Sequence, residues 1–363
     1  MKNTLKIILL STIFITTSCL KEDDGGISVP PLEGTTLAPE VGGATQPNQV
    51  WVDLSNQEIK STHRNNWDLG FYSGDDFYII LNNSILMAAG SVESTDIDAV
   101  GQSDFDQLIS ILNPAAGFPE QYIDNVKGIY SEDNSTAIAK ISANDSENKI
   151  YLLKMGYNVY DGDDSIPPFS VYTIGDSRGF KKVRILRNDS ESYKVQYANL
   201  NDTEHTEVIV PKDSGYHFSF YSIMNEAFAE IQPKKQNWDI CFTVMNNIIE
   251  GHGTYIYPDF VNNNTLSGVG SYQIITDPLT LDIDYNNFSL ADVDETLFIY
   301  DDQRAIGSNW RSTVSGTTST PVVKSDRFYI VRDAEGILFK LRFISMLGQN
   351  NERGFPTFEY EPL

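Results

Sequence analysis

Much of the chain alternates apolar and polar residues with the period of two that is typical of β-strands. Residues 180–187 (FKKVRILR) and 193–197 (YKVQY) alternate on either side of the polar turn NDSES. Residues 327–332 (RFYIVR) and 337–343 (ILFKLRF) do the same around DAEG. The pattern predicts a β-hairpin at each of these two places.

The same pattern predicts a third hairpin and one helix. Residues 136–142 and 149–155 are predicted to pair through the polar turn ANDSEN. Residues 105–112 are the one helix-like stretch, and this helix is expected to end before Pro114. With 19 Phe, 19 Tyr and many turn-forming residues, the composition is typical of a β-sandwich with long loops.

One phrase occurs twice, as NWDLGF at residues 66–71 and as NWDICF at residues 237–242. An alternating strand precedes each copy, at residues 49–55 and 216–222, and only four Trp occur in 363 residues. We interpret each Trp-Asp pair as structural, because a Trp at a strand start buries a large ring and the following Asp can accept bonds from backbone amides.

The repeated phrase predicts a duplicated domain. The first copy is expected to span residues 46–205 and the second residues 214–363, with the boundary near residues 201–215. The predicted fold class is therefore all-β, with two duplicated β-sandwich-like domains in tandem after a flexible tether.

The N-terminus predicts export. Lys2 and Lys6 supply a basic start, and the apolar residues 7–15 are too few to span a membrane. The sequence TTSC resembles a lipobox with Thr in place of the usual Leu, so residues 1–18 are predicted to be a lipoprotein signal peptide and Cys19 to be lipidated. An ordinary secretory signal that contains a Cys is the alternative.

The residues after Cys19 predict where the protein is anchored. KEDD at residues 21–24 resembles the acidic tag of lipoproteins that face the exterior of the Gram-negative outer membrane. Residues 19–45, which include a Pro-rich stretch, are expected to be a flexible tether. Contact with the membrane is then expected only through the lipid. Cys241 is the one other cysteine, so no intramolecular disulfide can form.

Charge and motifs exclude several functions. With 26 Lys and Arg against 50 Asp and Glu, the formal net charge of −24 repels nucleic acid. GDSRG at residues 175–179 has the G-x-S-x-G form, but a strand follows it where a nucleophile elbow needs a helix, so we interpret it as a turn. The acidic clusters at residues 161–164 and 292–295 lack EF-hand spacing and are interpreted as solvated surface. We predict that the protein is not an enzyme.

Residues 214–363 resemble the HmuY family of bacterial surface haemophores. The resemblance rests on YHFSFY, NWDICF, RFYIVRDAEGILFKLRF and ERGFPTFEY, in that order. It implies an all-β lipoprotein that captures haem outside the cell and passes it to a TonB-dependent outer-membrane receptor. It also implies two axial histidines on loops that fall near residues 282–295 and 308–315, and neither stretch contains His or Met.

The chain has four histidines, and His252 is the candidate iron ligand. It lies between Gly251 and Gly253, where an exposed neutral imidazole is a competent ligand. Three neighbours complete the candidate haem site, with Tyr255 and Tyr257 as its wall and Met245 as a further ligand candidate; an ordinary loop histidine is the alternative. Lys234 and Lys235 are expected to offset the propionates.

The other three histidines are given ordinary roles. His63 and His205 are expected to be solvated, and His217 to be partly buried on a strand.

Two functions follow from these observations. The first is a surface-exposed outer-membrane lipoprotein that binds haem or a related tetrapyrrole for uptake. The alternative is a non-haem ligand- or protein-binding accessory lipoprotein of an outer-membrane importer or complex.

Overall fold

The structure, a computed structural model, describes residues 34–162, 165–313 and 320–363. Within them the chain forms antiparallel β-sheets with few helices, which confirms the predicted all-β fold class. The predicted signal peptide, Cys19, the acidic tag at residues 21–24 and the first part of the tether lie outside the described residues.

The strands in chain order are β1 (Thr35–Leu37), β2 (Asn48–Asp53), β3 (Glu58–His63), β4 (Leu69–Tyr72), β5 (Ile79–Leu81), β6 (Ala88–Val92), β7 (Ile150–Lys154), β8 (Phe180–Arg187), β9 (Ser192–Ala198), β10 (Thr206–Pro211), β11 (Phe218–Ser222), β12 (Ala227–Ala229), β13 (Ile240–Ile249), β14 (Gly253–Asn263), β15 (Gly270–Ile275), β16 (Arg311–Ser312), β17 (Val322–Val323), β18 (Arg327–Arg332), β19 (Leu338–Leu347) and β20 (Arg353–Pro362). The α-helices are α1 (Asp106–Leu112) and α2 (Leu281–Asn287). Single-turn 3-10 helices occur at Gly43–Thr45, Arg64–Asn66, Asn83–Ile85, Gln102–Phe105, Glu120–Tyr122, Asp145–Glu147, Thr265–Ser267, Leu290–Asp292, Glu295–Leu297 and Gln349–Asn351.

The strands form two long sheets, two short sheets and a small ribbon. The first long sheet has the order β10-β9-β8-β7-β6, and the second has the order β1-β20-β19-β18-β15. The first short sheet has the order β12-β11-β4-β5, and the second has the order β14-β13-β2-β3. Strands β16 and β17 pair with each other. The β8–β9 and β18–β19 pairs confirm the two best-marked hairpins of the sequence pattern.

Three apolar clusters show how the sheets stack. One cluster joins the first long sheet to the first short sheet, and a second joins the second short sheet to the second long sheet. A third, rich in aromatic rings, lies between the two short sheets. The short sheets are therefore buried on both faces. Strand β2 follows this rule, since Val50 and Val52 pack in the second cluster and Trp51 between them packs in the third.

The two repeats exchange strands. Strand β2 of the first half pairs with β13 of the second half and with β3 on its other edge. Strand β11 of the second half pairs with β4 of the first half and with β12 on its other edge. Strand β10, which lies inside the predicted boundary near residues 201–215, pairs with β9. The hydrogen-bonded units are therefore residues 64–231 and residues 232–363 with 34–63. They differ from the sequence repeats, whose bounds stay a prediction.

The folded region begins earlier than the predicted residue 46. Strand β1, within the expected tether, pairs with β20 through Thr35 and Tyr360, Thr36 and Glu359, and Leu37 and Phe358. Val41 and Ala44 are buried. Residues 34–45 are thus part of the fold, because apolar side chains in this Pro-rich stretch find a place against the second long sheet.

Each long sheet is covered on its outer face by one helix. Helix α1, which the sequence predicts, packs against β6 and β7. Helix α2 occupies the equivalent place after β15, with Tyr285 buried against β18. The sequence pattern missed α2, and residues 105–112 are thus not the one helical stretch. Its sequence LDIDYNN is rich in Asp and Asn, which have low helix propensity.

The third predicted hairpin is wrong. Strand β7 pairs with β6 on one edge and β8 on the other, so residues 136–142 cannot join it. Instead the amide of Ala137 donates to Asp124 Oδ1 at 3.0 Å, and the amide of Ala139 donates to the Tyr151 hydroxyl at 3.0 Å. Within the described part of the chain, no helix has the length and apolar character needed to cross a membrane.

Candidate functional site

Both Trp-Asp pairs are buried and structural, as the sequence predicts. Trp67 and Trp238 both pack in the cluster between the short sheets. Asp68 Oδ2 accepts hydrogen bonds from the Ser222 hydroxyl and the Met224 amide, each at 3.0 Å. The first Asp therefore fixes the end of the hairpin that the second repeat contributes.

Asp239, in the second Trp-Asp pair, holds the end of the hairpin that the first repeat contributes. Asp239 Oδ2 accepts from the amide of Leu54 at 2.8 Å, at the end of β2, and its Oδ1 accepts from the amide of Ala334 at 2.9 Å. Burial raises the pKa of Asp239 well above its ordinary value, and repulsion from Asp333 adds to the shift. Asp239, Asp333 and Glu335 each place one carboxylate oxygen within 4.8 Å of the others.

The GDSRG segment is extended rather than the predicted turn, because Ser177 forms an antiparallel bridge with Tyr157. Strand β8 follows it, where a nucleophile elbow needs a helix. Ser177 is exposed, and Arg178 reaches inward to form a 2.7 Å ion pair with Asp68 in which both side chains are buried. No local sequence signal indicates that this arginine serves the first Trp-Asp pair.

The candidate haem residues do not all meet in one place. His252 is exposed in the turn between β13 and β14. Met245 is buried on β13 and lies opposite Tyr257 of β14. Tyr255 and Tyr257 project near each other, with ring centroids 5.2 Å apart in an edge-to-face arrangement.

Tyr255 and Tyr257 form one wall of a cleft of about 560 Å³, which we call the tyrosine cleft. The connection between β7 and β8 supplies a further part of the lining, in which Tyr160 and Tyr172 have ring centroids 5.4 Å apart. His252 and Met245 are not among the described residues that line this cleft. The full lining comprises Tyr160, Phe169, Val171, Tyr172, Thr173, Ile174, Tyr255, Ile256, Tyr257, Pro258, Arg311, Thr313 and Arg353.

Two arginines give the tyrosine cleft a positive edge. Arg311 Nε lies 3.7 Å from Asp259 Oδ2, and Arg353 donates to the same oxygen. Two guanidinium groups facing one carboxylate leave a net positive charge. Burial lowers the pKa of Arg311, and the nearby Asp259 carboxylate opposes that shift. Lys234 and Lys235, which were expected to offset the propionates, do not line the cleft.

The backbone of the cleft is strained at Phe169. Its φ of 68° lies in the left-handed region, which costs a bulky residue free energy. The amide of Phe169 donates to the carbonyl of Asn351 at 2.9 Å, and the amide of Tyr172 donates to the carbonyl of Ala44 at 3.0 Å. The wall is thus held in place by contacts with the second repeat and with the N-terminal segment.

The remaining histidines have structural partners. His217 is buried, its Nε2 lies 2.7 Å from the Ser267 hydroxyl, and burial lowers its pKa to about 4. His63 and His205 are half-buried rather than fully solvated. His63 Nδ1 accepts from the amide of Asn65 at 3.2 Å, and His205 Nδ1 lies 3.0 Å from Asp98. Burial lowers the pKa of His63, and the Arg64 charge adds to it.

The acidic cluster at residues 292–295 caps turns. Asp292 accepts from the amide of Ser289 at 3.0 Å and Asp294 from that of Thr296 at 2.9 Å, so these carboxylates have local roles that agree with the surface interpretation. Part of the cluster at residues 161–164 lies outside the described residues.

The structure thus combines stacked antiparallel sheets with an aromatic cleft that has a few charged groups at its edge. The chain belongs to the HmuY family. The family model, described as HmuY protein, matches residues 45–201 and again residues 191–360. The double match agrees with the duplication that the repeated Trp-Asp phrase predicts.

Two solved structures are similar to parts of the chain. One is described as a HmuY-like heme binding protein from Bacteroides vulgatus ATCC 8482; it is 13% identical, and the alignment covers 50% of this chain and 91% of that chain with a TM-score of 0.21. The other is described as a lipoprotein from Bacteroides fragilis NCTC 9343; it is 16% identical, with coverage of 49% and 92% and a TM-score of 0.22. No curated protein matches the chain.

Proposed function

We propose that this protein is a surface-exposed outer-membrane lipoprotein that binds haem or a related tetrapyrrole in the tyrosine cleft. The observation that carries the proposal is a cleft of about 560 Å³ with two tyrosine pairs and two arginines, in a chain of the HmuY family. Aromatic walls suit a flat macrocycle, and the arginines suit its two propionates.

The residues of the tyrosine cleft fit a porphyrin better than they fit its iron. Its lining offers phenol oxygens as the available iron ligands, and tyrosinate does ligate haem iron in some proteins. His252 lies three residues from Tyr255, in a turn whose flanking glycines both have positive φ. Because His252 does not line the cleft, we propose the phenol of Tyr255, which is 50% exposed, as the axial ligand there and His252 as the second choice.

Titration of the soluble chain with hemin tests the proposal. Bound hemin should give a shifted Soret band that saturates at one equivalent, in the ferric state and after reduction. An unchanged spectrum in both states would remove haem as the ligand.

Single variants locate the site. Tyr255→Phe should shift the Soret maximum and weaken hemin binding, and His252→Ala should do so instead if the second-choice ligand binds the iron. Tyr257→Ala should weaken binding without changing the axial ligand. His205→Ala is the matched histidine control, because His205 pairs with Asp98. Tyr300→Ala is the matched tyrosine control, since it is also exposed. Wild-type spectra for both His252→Ala and Tyr255→Phe would exclude this cleft as the iron site.

The anchor and the receptor complete the proposal. Cys19→Ala should release the protein from membranes, and replacing residues 21–24 with Ala should leave it membrane-bound but protected from external protease. If external protease still removes the second variant from whole cells, the acidic tag is not the export signal. A TonB-dependent haem receptor is the proposed partner, to be tested by cross-linking on iron-starved cells.

The second candidate is a non-haem accessory lipoprotein of an outer-membrane importer or complex. The observation that favours it concerns the loops in which the family resemblance places the axial ligands. Residues 282–295 contain neither His nor Met and fold largely into α2 and 3-10 turns against the second long sheet. Expression that follows a nutrient rather than iron starvation would support this second function.

A further inference from the structure

The layer that covers the outer face of the second long sheet carries exposed apolar side chains. It comprises residues 277–301, which include α2 and the two 3-10 turns that follow it. Six of the 17 exposed large apolar side chains among the described residues lie in this segment, namely Leu279, Ile283, Leu290, Leu297, Ile299 and Tyr300. Leu279 is 90% exposed and Ile283 is 59% exposed. We call the exposed side chains of residues 277–301 the α2 surface.

This segment has apolar residues on both of its faces. The inward side chains pack in one cluster on the second long sheet, and they include Leu281, Tyr285, Phe288, Val293 and Phe298. The six exposed side chains are interspersed with them along the same stretch. A surface helix is normally apolar on one face only, and apolar residues all round are typical of an element that is covered on every side. No described part of the chain covers the outward face, since its side chains are exposed.

The first repeat supplies an internal control for the α2 surface. Its equivalent segment is the connection between β6 and β7, residues 93–149, which contains α1. None of the large apolar side chains in this segment is exposed. Leu108 and Ile109 of α1, for example, pack against the cluster on the first long sheet. The fold therefore does not require exposed aliphatic side chains in this layer, and their presence in one repeat alone indicates a role beyond folding.

The α2 surface is also strongly acidic. Residues 276–303 contain eight Asp and Glu and no Lys or Arg. Six of these acidic residues are exposed, namely Asp277, Asp282, Asp292, Asp294, Glu295 and Asp301. Arg342 pairs with Asp282 and Arg332 pairs with Glu295, each at 2.5 Å. The other four exposed carboxylates have no ion-pair partner among the described residues, so the surface keeps a net negative charge.

We propose that the α2 surface is the docking site of a second protein, which presents apolar side chains flanked by Lys or Arg. Exposed apolar patches with a polar rim are typical of protein–protein contacts, and opposite charge on the partner favours the encounter. The tyrosine cleft has no lining residue within 277–301, so the proposal does not depend on haem.

Charge disfavours two other occupants of the α2 surface. A second copy of this chain would bring the same eight carboxylates against those already present. Residues 19–33, which precede the described part of the chain, contain one Lys against four Asp and Glu, so this segment would also be repelled. A basic partner is the occupant that gains from the four unpaired carboxylates.

Fluorescence anisotropy of the soluble chain with designed peptides tests the proposal. The probe is a labelled amphipathic helix of about fourteen residues, with Leu on one face and Lys on the other. Two control peptides change one property each, with Glu in place of every Lys or with Gln in place of every Leu. The Leu/Lys peptide should bind tightest, and each control peptide should bind about ten-fold more weakly or worse. Binding of either control with equal affinity, or no binding of the Leu/Lys peptide, would overturn the proposal.

Substitution of the exposed apolar residues locates the binding. The test variant leaves every charge in place and combines Leu279→Ser, Ile283→Ser, Leu290→Ser and Leu297→Ser. These side chains are half exposed or more, so the fold should persist while the Leu/Lys peptide binds about ten-fold more weakly. The control variant changes four exposed aliphatic residues elsewhere, with Ile59→Ser, Ile209→Ser, Val322→Ser and Ile344→Ser. Wild-type affinity in the test variant, or an equal loss in the control variant, would place the peptide elsewhere and overturn the proposal.

Two charge variants separate local attraction from the formal net charge of −24. The first combines Asp277→Asn, Asp292→Asn, Asp294→Asn and Asp301→Asn. The second neutralises four exposed acidic residues of the equivalent segment in the first repeat, with Asp106→Asn, Glu120→Gln, Glu132→Gln and Asp133→Asn. Both change the net charge equally, so weaker binding in the first variant alone would support the proposal. Equal weakening in both would show a long-range effect and contradict a local site.

Sedimentation of the chain without peptide tests the second copy as the occupant. The chain should sediment as a monomer. A dimer that the four Ser substitutions in the α2 surface dissociate would assign the surface to a second copy and overturn the basic partner. These outcomes are separate from the hemin titration, which reports on the tyrosine cleft.

Discussion

The two Trp-Asp pairs occupy equivalent places in the two repeats but stand in opposite electrostatic surroundings. Asp68 faces the guanidinium of Arg178 at 2.7 Å. Asp239 faces two further carboxylates, Asp333 and Glu335. Both aspartates accept backbone amides from the hairpin of the other repeat. The duplication has therefore kept the backbone role of the residue while its charge partner has diverged.

This difference teaches which part of the motif the fold requires. The amide bonds of the aspartate hold the exchanged hairpins, and they are present in both repeats. A cation is present in only one of them, because the long β7–β8 connection of the first repeat brings Arg178 inward. In the second repeat the short turn between β18 and β19 supplies carboxylates there instead.

The largest expected effect is the loss of the buried ion pair. Asp68→Asn should lower the free energy of unfolding by about 3–5 kcal/mol, because it leaves the buried charge of Arg178 without a partner. Urea denaturation followed by circular dichroism measures this. Asp239→Asn is the matched substitution in the second repeat and should cost clearly less, since no buried cation loses its partner there and the loss is limited to one backbone-amide bond that the NH2 group cannot accept.

Equal losses for the two Asn variants would contradict the comparison. The double variant Asp68→Asn with Arg178→Met should recover part of the loss, because it removes the uncompensated charge. A double variant as unstable as the sum of its single variants would show that the pair does not interact.

Substitution of the two tryptophans should give a smaller difference in the free energy of unfolding than substitution of the two aspartates. Trp67→Phe and Trp238→Phe remove the same part of a buried ring, but only Trp67 donates a hydrogen bond, to Gln49 Oε1. Trp67→Phe leaves that acceptor buried and unpaired, so it should cost about 1–2 kcal/mol more than Trp238→Phe. Thermal or urea unfolding of the ligand-free variants checks this. A larger loss for Trp238→Phe would show that its indole N–H has a partner.

The sequence predicts local structure here better than it predicts partners. The β8–β9 and β18–β19 hairpins follow from alternation around a turn, and Tyr255 and Tyr257 share a wall because they are two residues apart on one strand. Alternation of apolar and polar residues predicts that a strand exists, but it does not predict which strand it pairs with. Residues 136–142 alternate too, yet both edges of β7 are already occupied.

Each cavity is completed by residues that lie far apart along the chain, which the sequence did not predict. Tyr160 and Tyr172 reach the tyrosine cleft from a connection that lies 93 and 81 residues before the start of β14 at Gly253. The small cavity lined by Trp51, Trp67 and Trp238 forms because the repeats exchange strands, which places Trp51 beside β13. Neither contact has a signal in the composition, periodicity or spacing of a single chain. Arg178 is similar, since it looks like an ordinary turn residue until the fold brings it to Asp68.

The smallest expected effect concerns the pH dependence of the acidic group in the second repeat. Partial burial of the carboxylate, followed by repulsion from Asp333 and Asp53, raises the pKa of Glu335 from 4.5 to about 7. Burial raises the pKa of Asp333 as well. The folded state therefore binds a proton at Glu335 more tightly than the unfolded state does. Stability from this group is greatest below pH 4.5 and falls as the pH rises towards 7.

Glu335→Gln should flatten that fall, so the variant should gain stability relative to wild type near pH 7 and not near pH 4. Because Glu335 is exposed, solvent screening keeps the gain below about 1 kcal/mol. Urea midpoints at pH 4, 5.5 and 7 measure it. Glu120→Gln, an exposed carboxylate in the connection after α1, is the control and should leave the pH profile unchanged. A Glu335→Gln profile parallel to that of wild type would mean that the second repeat does not hold its carboxylates under repulsion, and the contrast with the Asp68–Arg178 pair would then rest on the arginine alone.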